Sequence, residues 1–216
     1  MSDAKSDPST LLVQFAKWPE LGRVKTRLSP LLAEAGALQA HILLTRRVLS
    51  HLTATGLPMQ FYWDREMSVP PPAAGPILAD LEAAGVEQRY QTGRDLGARM
   101  EAAISAGLEE YTQVIIVGSD CPSVDAGYVH LAQQVLEGAD LVLGPSDDGG
   151  YVLLGARRLV PGQLADIAWG SGAVLAQTRR RAEALGVSCC LLETRWDVDE
   201  PEDWQRFLRQ FPDVGA

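Results

Sequence analysis

Four cations crowd into one short stretch near the start of this chain. Lys17-Trp-Pro-Glu-Leu-Gly-Arg23-Val-Lys25-Thr-Arg27 holds two of the protein's three lysines, in a chain of net charge −9. Cations packed this closely repel one another unless an anion sits among them. Guanidinium and ammonium groups bind phosphate oxygens through charge-assisted hydrogen bonds, so a phosphate-rich small molecule is the natural counter-charge. A solvated basic loop is the plainer alternative, and position argues against it. The stretch follows Leu11-Leu12-Val13-Gln14-Phe15-Ala16, a buried strand by length and composition. In an open α/β sheet, ligands bind at the carboxyl edge of the strands.

Two acidic motifs supply the complementary chemistry. Val114-Ile-Ile-Val-Gly-Ser-Asp120-Cys-Pro122 reads as a short apolar strand ending in Gly-Ser, with a carboxylate just past its end. A carboxylate there can hold a hard divalent cation that bridges phosphate oxygens. A turn aspartate is the alternative, but Ser123 and Asp125 are equally able to cap the following helix. The second motif is Trp196-Asp197-Val-Asp199-Glu-Pro-Glu-Asp203, between the last strand and the last helix. Asp199 with Glu202 matches a capping box, which accounts for Asp199 and leaves Asp197 unexplained. Mg²⁺ needs only one or two protein carboxylates besides phosphates and water, so one acid from each strand end would suffice.

Three further segments could contribute. Gly93-Arg94-Asp95-Leu-Gly-Ala-Arg99-Met opens a helix with Asp95 as its cap and Arg99 in the first turn, where the helix dipole disfavours a cation unless an anion lies nearby. Gly144-Pro-Ser-Asp147-Asp148-Gly-Gly-Tyr151 is a tight turn whose adjacent acids could contact a sugar hydroxyl or a metal. In Trp169-Gly-Ser171-Gly the indole offers a stacking face or a core residue, and Ser171 a helix cap. No nucleophile signature is present: there is no Gly-x-Ser-x-Gly elbow, Cys121 has no evident histidine partner, and the three-glycine dinucleotide fingerprint is missing. His41, His51 and His130 read as ordinary helix residues.

The elements that must position these groups alternate along the chain. Strands are expected at 11–16, 58–63, 86–90, 114–118, 140–144, 150–155 and 188–192. Helices are expected at about 31–54, 76–84, 97–110, 126–137, 172–185 and 200–210. Alternation of this kind implies a largely parallel α/β sheet with helices on both faces. The strands at 140–144 and 150–155 are joined too tightly for a helical crossover and should be antiparallel neighbours, which makes the sheet mixed. Ser68–Pro76 is proline-rich and joins two elements of one domain.

Composition narrows the function classes. At 216 residues and 46% hydrophobic, the chain is long enough for one compact domain with a full core. Its acidity argues against nucleic-acid polymers, which need many distributed cations. Three cysteines without metal-ligand spacing suit a cytoplasmic setting without disulfides. The first ten residues read as a flexible tail, and no apolar run approaches the roughly 20 residues of a membrane span.

Taken in order, Lys17-x-Pro-x-x-Gly-x-Val-Lys-Thr-Arg-Leu28, Asp95-Leu-Gly-x-Arg-Met100, Gly118-Ser-Asp-Cys-Pro122, Asp148-Gly-Gly-Tyr151 and Asp197-Val-Asp199 resemble a short bacterial family of GT-A-fold, nucleotide-diphospho-sugar-transferase-like proteins. The family carries radical-SAM/selenodomain-associated and arsenosugar-biosynthesis glycosyltransferase labels. It is related to the molybdenum-cofactor and 2-phospholactate guanylyltransferases. The resemblance spans about residues 11–211 and implies a single GT-A-like domain with a mixed, mostly parallel sheet of about seven strands. It implies nucleotide-phosphate binding by Lys17, Arg23, Lys25 and Arg27; Asp95 and Arg99 are further candidates for the same role, and Asp120 and Lys25 are expected at the catalytic centre. It assigns Mg²⁺ or Mn²⁺ to Asp120 with Asp199, or with Asp197; from the residues themselves, Asp147, Asp148, Trp169 and Ser171 are candidates for the acceptor or sugar side. Gly170 departs from the serine more usual there. Glycosyl transfer from a nucleotide sugar to an unknown acceptor is the first expectation. Nucleotidyl transfer from a nucleoside triphosphate, releasing pyrophosphate, is the alternative, and a non-catalytic nucleotide-binding module is the second.

Overall fold

The computed structural model describes residues 9–212. Seven strands form one sheet: β1 (Thr10–Ala16), β2 (Met59–Trp63), β3 (Glu87–Tyr90), β4 (Gln113–Gly118), β5 (Leu141–Pro145), β6 (Tyr151–Ala156) and β7 (Cys189–Leu191). Among the described residues, six α-helices connect or follow them: α1 (Ser29–Thr53), α2 (Gly75–Ala83), α3 (Leu96–Gly107), α4 (Ala126–Leu136), α5 (Val174–Ala184) and α6 (Pro201–Gln210). The strand order is β3-β2-β1-β4-β6-β5-β7. Only β6 runs against its neighbours, β4 and β5; every other pairing is parallel. The mixed, mostly parallel sheet and the antiparallel β5–β6 hairpin are as the sequence predicts.

Both sides of the sheet are covered, which is why β1 and β4 are apolar without alternation. Leu11, Val13 and Phe15 of β1 face a core that α3 and α5 close with Met100, Ile104, Val174 and Ala182. Leu12 of β1, with Ile115 and Val117 of β4, faces the opposite core, closed by α1 and α4 through Val48, Leu52, Val129 and Leu136. Each leucine, isoleucine, valine, phenylalanine or methionine side chain buried there stabilises the fold by about 1.5–3 kcal/mol. At the β2 end, Phe61 and Trp63 pack against Ile77 and Leu81 of α2, and Trp18 stacks on Trp63 at 3.7 Å between ring centres. α6 lays Trp204 and Phe207 against Ala37, Ala40 and Leu44 of α1.

Two local features differ from expectation. The long first helix is broken at Ala33, whose backbone is non-helical (φ 57°, ψ 172°). Thr10 belongs to β1 rather than to a tail: it is buried, and its Oγ1 donates to Gln113 Oε1 at 3.0 Å. Residues 1–8 of the expected tail lie outside the described residues. Among the described residues no helix is long and apolar enough to cross a membrane.

The topology sets the site. From β1 the chain goes first to β2 and β3 on one side, then returns to β4 on the other. That reversal leaves a crevice at the carboxyl ends of β1 and β4, a place where open α/β sheets bind ligands.

Candidate active site

Loops leaving β1, β2, β3, β4 and β7 enclose a cleft of 510 Å³ over that crevice. The loop after β1 lines it with Lys17, Arg23, Lys25 and Arg27, and α3 adds Arg99. Asp120 and Asp199 line it as well. Five of the predicted cations and two of the predicted acids therefore share one cavity.

Lys25 stands at its centre. Its side chain is only 6% exposed, and its Nζ donates to Asp120 Oδ2 at 2.7 Å and lies 3.6 Å from Asp199 Oδ1. Burial alone would favour the neutral amine, but the charge and hydrogen bond of Asp120 outweigh it, and the ammonium is held above its usual range. Burial likewise pushes the Asp120 carboxyl up, and Lys25 more than reverses this, leaving it below the usual carboxylate range. Lys25 takes a left-handed backbone conformation (φ 47°, ψ 40°), which costs an L-residue about 1–2 kcal/mol. The ion pair offsets that cost and fixes the loop over the strand ends.

Asp120 is placed by its neighbours. Ser119, buried, donates from Oγ to the Phe15 carbonyl at 2.8 Å and accepts from Gln14 Nε2 at 3.1 Å. The same Gln14 amide donates to the Thr45 carbonyl at 3.0 Å, tying β1, β4 and α1 together directly beneath the acid. Gln14 is not among the predicted site residues; its one signal in the sequence is a polar residue inside an otherwise apolar strand. The 196–199 segment is brought in by the Val198 amide donating to the Asp120 carbonyl at 2.9 Å. Ser123 adds to this, its Oγ exchanging hydrogen bonds with the Trp196 backbone.

The expected capping box is displaced by one residue. Glu200 is the N-cap of α6, and Asp203 accepts from the Glu200 amide at 2.8 Å, so Asp199 and Glu202 do not form the box. Asp199 is thereby left to pair with Arg27 Nη1 at 2.7 Å and with Lys25. Asp125, not Asp120, caps α4 by accepting from the Tyr128 amide at 2.8 Å.

A second cleft of 240 Å³ adjoins the first, sharing Phe15, Leu96, Gly118 and Asp120. Asp148, Asp197, Trp169 and Ser171 line this one. Burial, and then the charges of Asp120 and Asp148, push the Asp197 carboxyl up to about 7. Trp169 is half-buried and packs edge-on to Tyr151 at 6.2 Å, so it is a wall rather than a core residue. Ser171 does not cap α5: its Oγ donates to the Ala168 carbonyl at 2.7 Å and closes the preceding turn.

Two predicted site residues face neither cleft. Asp95 is spent as the cap of α3, accepting from the Ala98 amide at 2.9 Å. Asp147 is exposed and pairs with Arg206 at 2.8 Å, whereas its neighbour Asp148 turns back to accept from the Gly150 amide at 2.9 Å. His41, read as an ordinary helix residue, is buried in the wall of the first cleft with Nε2 3.0 Å from the Lys17 carbonyl. Cys121 is buried, and burial followed by the charge of Asp120 raises its thiol well above the usual range, so it stays protonated and unreactive. Among the described residues no three His, Cys, Asp or Glu side chains are gathered into a metal cage. Asp120, Asp199 and Asp197 still supply the oxygen donors a hard cation takes, and Lys25 already sits as a cation between the first two.

Comparison with known proteins bears on this arrangement. Residues 54–171 match the family described as "Uncharacterized protein conserved in bacteria (DUF2064)". A 3-phospho-D-glycerate guanylyltransferase from Phenylobacterium zucineum (strain HLK1) is 36% identical over 114 residues, 50% of this chain and 50% of that protein. The chain thus spans about half the length of the curated relative it matches. A Desulfovibrio desulfuricans G20 protein, provisionally described as a nucleotide-diphospho-sugar transferase, superposes with a TM-score of 0.82 and 26% identity, over 93% of this chain and 87% of that one. Rv0371c of Mycobacterium tuberculosis H37Rv, in complex with manganese, shares the fold at a TM-score of 0.56 and 15% identity, over 94% and 100% of the two chains.

Proposed function

The chain belongs to the bacterial family DUF2064, and on that footing we propose that it is a metal-dependent nucleotidyltransferase. The observation that carries this reading is the Lys25–Asp120–Asp199 cluster, set between a cleft lined by five cations and a second cleft that ends at the same aspartate. A nucleoside triphosphate lies in the first cleft with its phosphates among Lys17, Arg23, Lys25, Arg27 and Arg99. The second substrate reaches Asp120 from the other side. One of its phosphate oxygens bonds to the α-phosphorus as the bond from that phosphorus to the β-phosphate oxygen breaks, and the electron pair leaves on pyrophosphate.

The chain's own residues act by positioning and by stabilising charge. The lysines and arginines offset the charge on the triphosphate and on the departing pyrophosphate. Gln14 and Ser119 keep Asp120 at the junction of the two substrates. Asp120, with Asp199 or Asp197, would hold Mg²⁺ or Mn²⁺. Once bound there, a divalent ion orients and neutralises the phosphate oxygens.

Glycosyl transfer, the first expectation from sequence, has less support. The Phenylobacterium relative is named for guanylyl transfer, and the Desulfovibrio protein's description leaves the sugar-nucleotide reading as the second possibility. The test is to incubate the protein with Mg²⁺ or Mn²⁺, a panel of nucleoside triphosphates and phosphorylated acceptors, and separately with nucleotide sugars. Pyrophosphate release from a triphosphate supports the proposal. Nucleoside diphosphate release from a nucleotide sugar, with no action on triphosphates, overturns it.

A further inference from the structure

The second cleft is one-sided in charge. Besides Asp120 its charged lining residues are Asp148 and Asp197, and among the described residues no lysine, arginine or histidine lines it. Every predicted cation of the site faces the first cleft instead. The floor is apolar, made by Met100, Ile116, Leu154 and Val174.

One wall is aromatic and firmly built. Trp169 stands nearly perpendicular to Tyr151, with 87° between their planes. Gly97 of α3 backs it so closely that an added Cβ would come 2.9 Å from Trp169 Cζ2 and 2.3 Å from the Leu164 carbonyl oxygen. The β5–β6 turn packs as tightly on the loop before α5. Gly149 has φ 86°, and a Cβ there would lie 2.3 Å from the Gly172 carbonyl oxygen. These contacts give the cleft a fixed shape.

We infer that the second substrate is a phosphorylated compound whose body is uncharged and hydroxyl-bearing, such as a sugar phosphate, and not a phospho-carboxylate of the kind named for the Phenylobacterium relative. The inference rests on the nucleotidyl-transfer reading and deepens it. The acceptor phosphate belongs at the shared edge beside Asp120, within reach of the first cleft's cations and of the metal. Its body must then lie among Asp148, Asp197, Trp169 and the apolar floor. Hydroxyl groups can donate hydrogen bonds to the two carboxylates, and C–H faces can pack on the indole. A carboxylate placed there would be partly desolvated beside Asp148 and Asp197, with no lysine, arginine or histidine lining the cleft to pair with it. The bond balance is that of the proposed transfer: a phosphate dianion oxygen forms the new bond, pyrophosphate takes the electron pair, and no proton has to move.

The experiment compares two acceptor sets with the full chain, Mg²⁺ and each nucleoside triphosphate, scored by pyrophosphate release. Glucose 1-phosphate, mannose 1-phosphate and glycerol 3-phosphate form one set; 3-phospho-D-glycerate and phosphoenolpyruvate form the other. Calorimetric titration of the same acceptors, with a non-hydrolysable triphosphate in place, reads binding independently of turnover. At least one carboxylate-free acceptor is expected to bind and react tenfold or more better than either phospho-carboxylate. Trp169→Ala should weaken that acceptor's binding while leaving the triphosphate's unchanged. Equal or better use of a phospho-carboxylate, or failure of every carboxylate-free acceptor to bind, overturns the inference while nucleotidyl transfer stands. If no triphosphate is cleaved with any acceptor, or only nucleotide sugars are, the parent reading fails and takes the inference with it.

Discussion

Lys25 and Asp120, 95 residues apart in sequence, form a 2.7 Å ion pair that brings the lysine ammonium within 3.6 Å of Asp199 as well. A divalent cation bound at these acids has to displace that ammonium, which is then free to turn to a phosphate. Lys25→Met should therefore bind Mn²⁺ more tightly than the native protein when no nucleotide is present. Triphosphate binding should weaken by about tenfold or more, the worth of one charged hydrogen bond. Mn²⁺ titration followed by electron paramagnetic resonance measures the first effect, and calorimetry the second. The variant should lose about 1–2 kcal/mol of stability, less than for a sealed pair because the Asp120 side chain is 38% exposed and water can resolvate it. Unchanged Mn²⁺ binding would show that the pair does not occupy a metal position.

Asp199 and Glu200 are adjacent and should behave differently. Glu200→Ala removes the N-cap of α6 and should cost about 0.5–2 kcal/mol with metal dependence intact. Asp199→Asn leaves the cap in place, so its melting temperature should change little while metal-dependent nucleotide binding falls. Thermal denaturation and calorimetry on the two variants separate the roles, and a reversal of the pattern would make Asp199 a structural residue.

His41 predicts a pH dependence of stability. Its burial, with a smaller contribution from the Lys25 charge, holds the ring below its usual range, partly opposed by the hydrogen bond to the Lys17 carbonyl. The unfolded chain then takes up a proton at a pH where the folded chain does not. Stability from this group is fully present above about pH 6.5 and is lost as pH falls from there toward the folded pKa. His41→Gln keeps a donor for Lys17 and removes the titration. Its melting temperature should therefore fall less than that of the native protein between pH 7 and pH 5. Parallel curves would exclude His41 as the cause.

The tight seat of Trp169 can be loosened from behind. Gly97→Ala forces a methyl group against the Leu164 carbonyl and the indole, and overpacking of this kind costs about 1–3 kcal/mol. Acceptor binding should weaken more than triphosphate binding, since the second cleft is the one deformed. Calorimetric titration of each ligand decides, and equal losses would mean that the damage is global.

Much of this molecule is legible in its sequence because strands buried on both faces read as unbroken apolar runs. β4, expected at 114–118, begins one residue earlier, at Gln113, and the β5–β6 hairpin is announced by Asp-Gly-Gly. The basic loop and Asp120 are legible for a related reason: charged residues directly after such strands must lie at the sheet's carboxyl edge. Pairwise geometry is not legible. Asp147 and Asp148 are chemically identical neighbours, and only the turn's backbone sends one to Arg206 and the other back toward Gly150. Asp199 and Glu200 compete for one capping position, decided by where the helix axis begins. Ala33 breaks α1 although it is itself neither glycine nor proline, and Pro30 and Gly36 to either side of it do not mark the position. Gln14 and His41 act through hydrogen bonds to residues far along the chain, or in another element, that no local pattern reveals.

Asp120 is the point on which both clefts converge. Asp120→Asn keeps the size and most hydrogen-bonding capacity of the side chain and removes the charge a hard cation prefers. The fold should survive, because β4 is buried independently of it and Asp125 caps α4. The measurement is calorimetric titration of each nucleoside triphosphate into native and Asp120→Asn protein, with Mg²⁺ and with the metal chelated. In the native protein Mg²⁺ should strengthen binding of at least one triphosphate. In the variant that gain should vanish, leaving the metal-free affinity contributed by the basic loop. If Asp120→Asn retains the full metal-dependent gain, the proposed centre is wrong.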